Sequence, residues 1–151
     1  MNYPDKIDLI LTYKNNREDV DFFEEIVYAV RVDTYYQVIN VPAFAPNLAF
    51  GDIVDIEVDN GKFYFHHLIK ESGHTTLHVV IFDLLFKPEL IDRLEEFGCG
   101  INDHIADNYL VLDIDPETNY PPIYTYLFAQ EATERISFRE SCLSETHKLT
   151  T

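Results

Sequence analysis

The stretch DIVDIEVDNGKFYFHHLIK, residues 52–70, decides the fold that the sequence predicts. Its first part, 52–58, alternates apolar and acidic residues, which is typical of a strand with one buried face. Asn60 and Gly61 supply the positive φ angles that a tight hairpin turn requires. Residues 62–70 then carry aromatic and apolar side chains and predict the returning strand. An antiparallel hairpin is therefore the unit from which the rest of the fold is built.

Strand-like patterns continue on both sides of this hairpin. Between the first two of them, a polar, acidic segment at 14–25 predicts a loop. The short link Asp33-Thr34 predicts a second hairpin over 26–41. Within it, alternation groups Ile26 and Tyr28 on one face, with Val30 and Val32 after them. The further predicted strands are 7–13, 26–32, 35–41 and 75–82.

The period of the apolar pattern changes after residue 82. Residues 88–97 have helical spacing, and 109–114 form a nearly continuous apolar run that predicts a covered strand. Pro121-Pro122 opens a second predicted helix, in which Tyr124, Phe128, Ala132 and Ile136 recur every four residues. Residues 136–142 predict an edge strand. Strands in a run with helices later indicate an α+β fold, an antiparallel barrel-like β-sheet followed by a strand-helix-strand-helix sandwich.

The length of 151 residues fits one ordinary domain. We therefore expect a single domain over 1–151, mainly β over 7–82 and mixed α/β over 83–143. The polar segment 144–151 is expected to be a flexible C-terminus.

The charge balance restricts the partners. The chain carries 27 acidic and 11 basic side chains, for a formal net charge of -16, and the basic residues are scattered along it. Such a protein repels phosphate backbones and anionic membrane surfaces, so neither nucleic acid nor membrane is an expected partner. A cationic partner is favoured, because opposite fields steer the encounter.

The two cysteines, Cys99 and Cys142, are too few for a disulfide framework. The N-terminal residues lack the basic and apolar regions of a signal peptide, and no apolar run is long enough for a membrane span. A cytoplasmic protein with reduced thiols is expected.

Five short motifs together resemble a known bacterial family, the domain of unknown function 4265 family. They are EIVYA at 25–29, NVPAFA at 40–45, GDIV at 51–54, SGHTT at 72–76 and FGC at 97–99. The resemblance covers about 7–143. It implies a small stand-alone bacterial protein and no established reaction.

Three positions depart from the family pattern while keeping its packing character. Tyr28 stands where the family usually has tryptophan, Ala43 replaces an aromatic residue, and Phe97 replaces leucine. By size and acidity the chain is also similar to the immunity proteins of contact-dependent and polymorphic toxin systems, which are encoded beside secreted antibacterial toxins.

Four histidines lie close together in sequence: His66, His67, His74 and His78. His66 and His78 could face each other across neighbouring strands, but a metal site needs three converging ligands. Cys99 lies at a predicted helix C-terminus, where the helix dipole disfavours a thiolate. The sequence therefore predicts no catalytic residue, metal or cofactor, and an enzyme is not expected.

Carboxylates form the most informative pattern. Ten acidic residues and one basic residue, Arg31, lie between positions 18 and 61. Asp55, Glu57 and Asp59 share one parity of a predicted strand, about 6.6 Å apart, and such a row can imitate a nucleic-acid backbone. Aromatic side chains lie near other acids and are enriched at binding hot spots. The predicted interface residues are Asp55, Glu57, Asp59, Asp19, Asp21, Phe22 and Phe23.

These patterns favour an immunity protein that binds a cognate cationic toxin as a heterodimer and occludes its active site. The toxin would be an RNase or another nuclease, whose site must attract phosphate. The alternative is a small-ligand-binding protein or housekeeping enzyme. Its site would lie around the Ser72-Gly73-His74 turn and the 42–52 loop, which carry the family-like motifs.

Overall fold

The computed structural model describes residues 6–14 and 22–148. The described chain is mostly antiparallel β-sheet with two α-helices, which confirms the predicted α+β class. The strands are β1 (Lys6–Lys14), β2 (Phe22–Val32), β3 (Tyr35–Val38), β4 (Ile53–Asp59), β5 (Lys62–Lys70), β6 (Thr75–Ile81), β7 (Gly100–Ala106), β8 (Tyr109–Ile114) and β9 (Ile136–Cys142). The helices are α1 (Lys87–Glu96) and α2 (Pro121–Ala132), with short 3-10 helices at Leu84–Phe86 and Glu145–His147.

The chain divides into two compact units between Ser72 and Gly73. The N-terminal unit contains β1 to β5, and the C-terminal unit contains β6 to β9 with both α-helices. β6 therefore joins the second sheet and not the first run of strands. The single domain over 1–151 stays a prediction.

The five strands of the N-terminal unit hydrogen-bond in the order β1-β2-β3-β4-β5 and close into a ring. Neighbours in the order are antiparallel, whereas β5 returns to β1 in parallel at Leu9–Phe63 and Ile10–Tyr64. Asn60 and Gly61 both have positive φ, as the predicted hairpin requires. The ring is the structure that the barrel-like prediction described.

The core of this unit is formed by the inner faces of the strands. Leu9, Leu11, Val27 and Ala29 are buried there. The face of β2 that carries Ile26, Tyr28, Val30 and Val32 lies on the other side of the strand, with Ile26 61% exposed. Both faces of β2 carry apolar residues, so alternation alone does not tell which one is buried.

β2 also begins earlier than the sequence pattern indicated. The segment 14–25 was predicted to be a loop, but Phe22 to Glu25 already pair with β1. Phe22 and Glu24 are tolerated here because the outer side of this strand faces solvent, whereas Phe23 and Glu25 lie on the other parity.

The C-terminal unit is a four-stranded antiparallel sheet in the order β7-β8-β6-β9 with a larger core. The predicted edge position of 136–142 is confirmed, since β9 pairs with β6 at one end of the order. β7 was not predicted. Its residues, GINDHIA, are mostly exposed and include three polar side chains in succession, so this edge strand lacks the apolar alternation that marks a strand.

The second helix is shorter than predicted and buries another face. α2 ends at Ala132, and the positive φ of Glu134 precedes β9, which contains Ile136. The buried residues are Ile123 and Leu127, whereas Phe128 is 57% exposed. The recurrence of apolar residues every four positions therefore predicted a helix, but it did not predict which face of the helix enters the core.

The C-terminal segment predicted to be flexible contains the 3-10 helix Glu145–His147. Ser144 and His147 are buried, and a hydrogen bond of 2.7 Å joins the His147 Nδ1 to the Thr75 Oγ1. Residues 149–151 lie outside the described residues. Neither helix of the described chain combines the length and hydropathy needed to cross a bilayer.

Candidate interaction surface

The predicted acidic row lies on β4, and its residues differ in their surroundings. Val54 is buried in the core beside this row, so Asp55 starts on the outer parity as predicted. Glu57 and Asp59 are exposed, and Asp59 lies opposite Lys62 in the hairpin. The row is therefore two exposed carboxylates, one with a cationic neighbour, preceded by a half-buried one.

Asp55 is flanked by two histidines of β5. A register irregularity between Asp55 and Ile56 brings Asp55 opposite His67 and Ile56 opposite Phe65. The Asp55 Oδ2 lies 3.8 Å from the His66 Nδ1 and 3.8 Å from the His67 Nε2. Adjacent strand residues normally point to opposite faces, and a bulge removes that alternation. Asp55 is thus not a bare surface anion.

The two predicted aromatic residues begin a longer apolar surface on β2. Phe22, Glu24, Ile26 and Tyr28 share the outward parity of this strand, and we call them the β2 strip. Phe22 is 67% exposed and Tyr28 is 43% exposed, with the Lys6 ammonium 4.0 Å from the Tyr28 ring centroid. Three large apolar side chains are thus exposed on one face of β2, with Glu24 between Phe22 and Ile26, and exposed apolar surface of this kind can mark a binding site.

Phe23 belongs to the other face of β2, where its ring stacks on that of Tyr13 at 5.8 Å between centroids. Its exposure is lower than that of Phe22. The two aromatic residues, predicted together, therefore point in different directions. Asp19 and Asp21 lie outside the described residues.

A shallow groove connects the β2 strip to the β4–β5 turn. It has a volume of about 530 Å³ and is lined by Glu24 and Ile26 of β2, by β1, and by residues 61–63. The groove forms where β5 pairs with β1 over only two residues. The middle of the β2 strip and the β4–β5 turn, which includes Lys62, therefore share one surface of the N-terminal unit.

The alternative site was expected at the 42–52 loop, and there the carboxylates hold the backbone. The Glu25 carboxylate accepts hydrogen bonds from the backbone N–H groups of Ala43, Phe44 and Ala45, at 2.6, 3.1 and 2.9 Å. A loop without ladder partners must satisfy its N–H groups in another way. Glu25 therefore has a structural role that accounts for its place in the family-like motif.

Asp52 has the same role at the other end of the loop. It is 1% exposed, and its carboxylate accepts hydrogen bonds from the N–H groups of Ala49 and Ser72, both at 2.9 Å. The Ser72 hydroxyl donates to the Phe50 carbonyl at 2.6 Å. Burial raises the pKa of Asp52, and the N–H donors of Ser72 and Ala49 partly oppose this rise. Both carboxylates are engaged by the protein's own backbone.

The remaining predicted chemistry lies in the C-terminal unit. His74 Nδ1 lies 2.8 Å from an oxygen of Asp113, and the buried His78 accepts hydrogen bonds from Arg139. The pairing of His66 with His78 across neighbouring strands was wrong, because β5 and β6 belong to different sheets. His66 and His78 are close in sequence, but they lie on either side of the boundary between the two units.

Cys99 is buried, as a packing role predicts. Desolvation by burial, with Asp113 nearby, raises the pKa of its thiol to about 12. A thiol with so high a pKa is a poor nucleophile, since the thiolate is the reactive form.

Sequence reasoning missed two functional features and one structural feature. Ile26 and Tyr28 were recognised as one face of a strand, but their exposure was not predicted. The structural role of Glu25 was not predicted either, although a carboxylate within an otherwise apolar strand was a signal for it. The cluster of Asp55 with His66 and His67 required the bulge to be known.

Comparisons with known proteins identify the family. The model of the domain of unknown function DUF4265 matches residues 24–138, whereas no curated protein gives a significant match. A solved structure described as a novel crystal structure of a hypothetical protein from Neisseria gonorrhoeae is similar, with 33% sequence identity and a TM-score of 0.83. The similarity covers 92% of this chain and 96% of that one. This chain therefore belongs to the DUF4265 family.

Proposed function

We propose that this protein is an immunity protein that binds a cationic bacterial toxin and occludes its active site. The observation that carries the proposal is the β2 strip, where Phe22, Ile26 and Tyr28 expose large apolar surfaces within an acidic protein. Exposed apolar side chains next to charges are typical of a protein-binding surface. A nuclease is the toxin class that best fits, because its site must attract phosphate.

Recognition would use the exposed side chains of the β2 strip. Residues 22–30 of β2 pair with β1, whereas β3 pairs with β2 only over residues 29–32. The proposal assigns the contact energy to the exposed side chains of the strip. Aromatic and large apolar residues at the centre of an interface commonly supply most of it. Phe22, Ile26 and Tyr28 are the proposed anchors.

Charge would select the partner and accelerate its capture. Glu24 lies within the β2 strip, and Glu57 and Asp59 lie on the hairpin that borders the groove. The net charge of -16 adds a long-range field. Steering of this kind can raise association to about 10⁸ M⁻¹s⁻¹ at low salt. Rapid capture suits protection of a cell that makes or receives the toxin, and the proposed location is the cytoplasm.

Growth rescue tests the proposal directly. The C-terminal region of the open reading frame immediately upstream of this gene is expressed with and without this protein. We expect the region to stop growth and the protein to restore it. A region that does not kill, or that kills equally in the presence of the protein, would contradict the proposal.

Two matched pairs of variants then locate the surface. Ile26→Lys places a cation in the β2 strip, and Leu85→Lys makes the same change at a 94% exposed position of the C-terminal unit. We expect only Ile26→Lys to lose rescue, because it removes an apolar anchor and repels a cationic partner. Equal loss in both variants would remove the β2 strip from the proposal.

The charged part is tested in the same way. Glu57→Lys with Asp59→Lys reverses the charge of two side chains on the β4–β5 hairpin. Asp92→Lys with Glu95→Lys makes the same charge change on α1. The hairpin double variant should lower the association rate of the purified complex by about tenfold or more at low salt. The α1 double variant changes only the net charge and should have the smaller effect.

A further inference from the structure

We infer that Asp55, His66 and His67 form a binding site for a divalent transition-metal ion, with zinc as the principal candidate. One ligand atom from each of the three side chains lies within 4.8 Å of the others. Two imidazoles and one carboxylate are donors that suit first-row transition metals, zinc among them. The site is independent of toxin binding and adds a ligand to the N-terminal unit.

The backbone is arranged in a way that brings the three groups together. His66 and His67 are consecutive in β5, so a regular strand would direct them to opposite faces. The irregularity between Asp55 and Ile56 removes this alternation. As a result, the two Nδ1 atoms lie 3.1 Å apart, and the ring centroids are separated by 4.6 Å. β-Bulges that redirect side chains in this way are over-represented beside functional sites.

The distances are those of a site that needs only small side-chain movement. Donors that each lie about 2.0–2.1 Å from a tetrahedral zinc ion are about 3.3 Å from one another. The Asp55 Oδ2 lies 3.8 Å from the His66 Nδ1 and 3.8 Å from the His67 Nε2, and with one ligand atom per residue the three atoms lie within 4.8 Å of one another. The 3.1 Å approach of the two rings joins their Nδ1 atoms. A rotation of the exposed imidazole side chains would bring one nitrogen of each ring to the distances of a bound ion.

The exposure of the cluster determines what kind of site it would be. The side chains of His66 and His67 are 53% and 54% exposed, and that of Asp55 is 36% exposed. Three protein ligands leave at least one coordination position for water or another ligand, in contrast to a closed structural site. We therefore expect metal binding without a large effect on folding.

The chain offers a matched control for the two histidines. His104 is 93% exposed, and its Nδ1 lies 3.5 Å from an oxygen of Asp103. It has one carboxylate neighbour, as each histidine of the cluster has, but in the described chain it is not part of a three-ligand group. A general affinity of surface histidines for zinc would therefore be reduced by His104→Ala as much as by His66→Ala.

The experiment is a calorimetric titration of the full chain, with any affinity tag removed, with zinc chloride. We expect one ion per chain for the unmodified protein and for His104→Ala. His66→Ala, His67→Ala and Asp55→Asn should each weaken zinc binding by more than about tenfold. Substitution of a residue that only hydrogen-bonds to a metal ligand already lowers metal affinity by about that factor. Far-UV circular dichroism confirms that each variant is folded.

Two results would overturn the inference. One is the absence of zinc binding by the unmodified chain up to millimolar concentration. The other is binding of unchanged affinity in any of the three ligand variants, or loss of binding in His104→Ala, because the ion would then lie elsewhere. Growth rescue does not enter this test, so failure of the immunity proposal and failure of the metal site are distinguishable.

Discussion

The two units satisfy their backbones and fill their cores in different ways. Among the described residues, the core cluster of the C-terminal unit contains fourteen buried hydrophobic residues, including residues of both helices, whereas the core cluster of the N-terminal unit contains eight. The N-terminal ring has no helix of its own in the described chain, and a loop without regular structure contributes Ala45 and Leu48 to its core. Glu25 and Asp52 hold that loop. One unit depends more on apolar packing, and the other more on carboxylates that bind backbone N–H groups.

The largest effect should come from a cavity in the C-terminal unit. Leu127 is fully buried on α2, so Leu127→Ala should lower the free energy of unfolding by about 2–5 kcal/mol. The neighbouring Phe128 is 57% exposed and serves as the control. Phe128→Ala should change stability by about 0.5 kcal/mol or less in chemical denaturation. Equal costs for the two variants would contradict the assignment of the core face of α2.

A smaller loss should follow removal of a carboxylate from the N-terminal unit. Glu25→Ala leaves three backbone N–H groups of the loop without their acceptor, at a cost of about 1–3 kcal/mol. The adjacent Glu24 is exposed on the outer face, so Glu24→Ala should stay within about 0.5 kcal/mol. Urea denaturation of both variants provides the comparison. Similar stability of the two would show that the loop does not need its anchor.

The smallest effect is a difference in pH dependence between one carboxylate of each unit. Burial raises the pKa of Asp52. Its favourable contribution to the free energy of unfolding is therefore present at pH values below the ordinary pKa of 3.8, and it is lost as pH rises through the folded-state pKa. Hydrogen bonds from the Glu117 and Thr118 N–H groups and the Thr118 hydroxyl lower the pKa of Asp115. Its contribution is present above 3.8 and is lost as pH falls through the lower folded-state pKa.

Asp52→Asn and Asp115→Asn test these opposite signs. The stability of the unmodified chain relative to Asp52→Asn should fall as pH rises above 3.8, and its stability relative to Asp115→Asn should fall as pH decreases below 3.8. Denaturation midpoints across acidic pH measure both differences. Slopes of the same sign would contradict the distinction between a buried anchor and an exposed turn carboxylate.

Prediction from the sequence was most successful where the signal was local. The turn at Asn60-Gly61, the strand 109–114 and the start of α2 at Pro121 were all placed correctly. Each depends on the conformational preferences of a few consecutive residues. β7 was missed because it has no such local signal. This exposed edge strand is held by pairing with β8 and not by an apolar pattern of its own.

The candidate surface was predicted only in part. Glu57, Asp59 and Phe22 are exposed as an interface requires, but Phe23 packs beside Tyr13 and Asp55 lies between two histidines. Neither contact can be inferred from composition. Both depend on strand register, which a single bulge or a shift of one residue changes for every side chain beyond it.

The sequence by itself determined the α+β class, the hairpins and the acidic character, because turn chemistry, periodicity and charge are properties of neighbouring residues. Only the tertiary structure decided that Val27 and not Ile26 enters the core, and that Glu25 binds the loop. It also decided that His66 and His67 meet at Asp55. These outcomes depend on residues that lie far apart in the chain, whose relative positions are set by the closing of the ring and by the register of its strands.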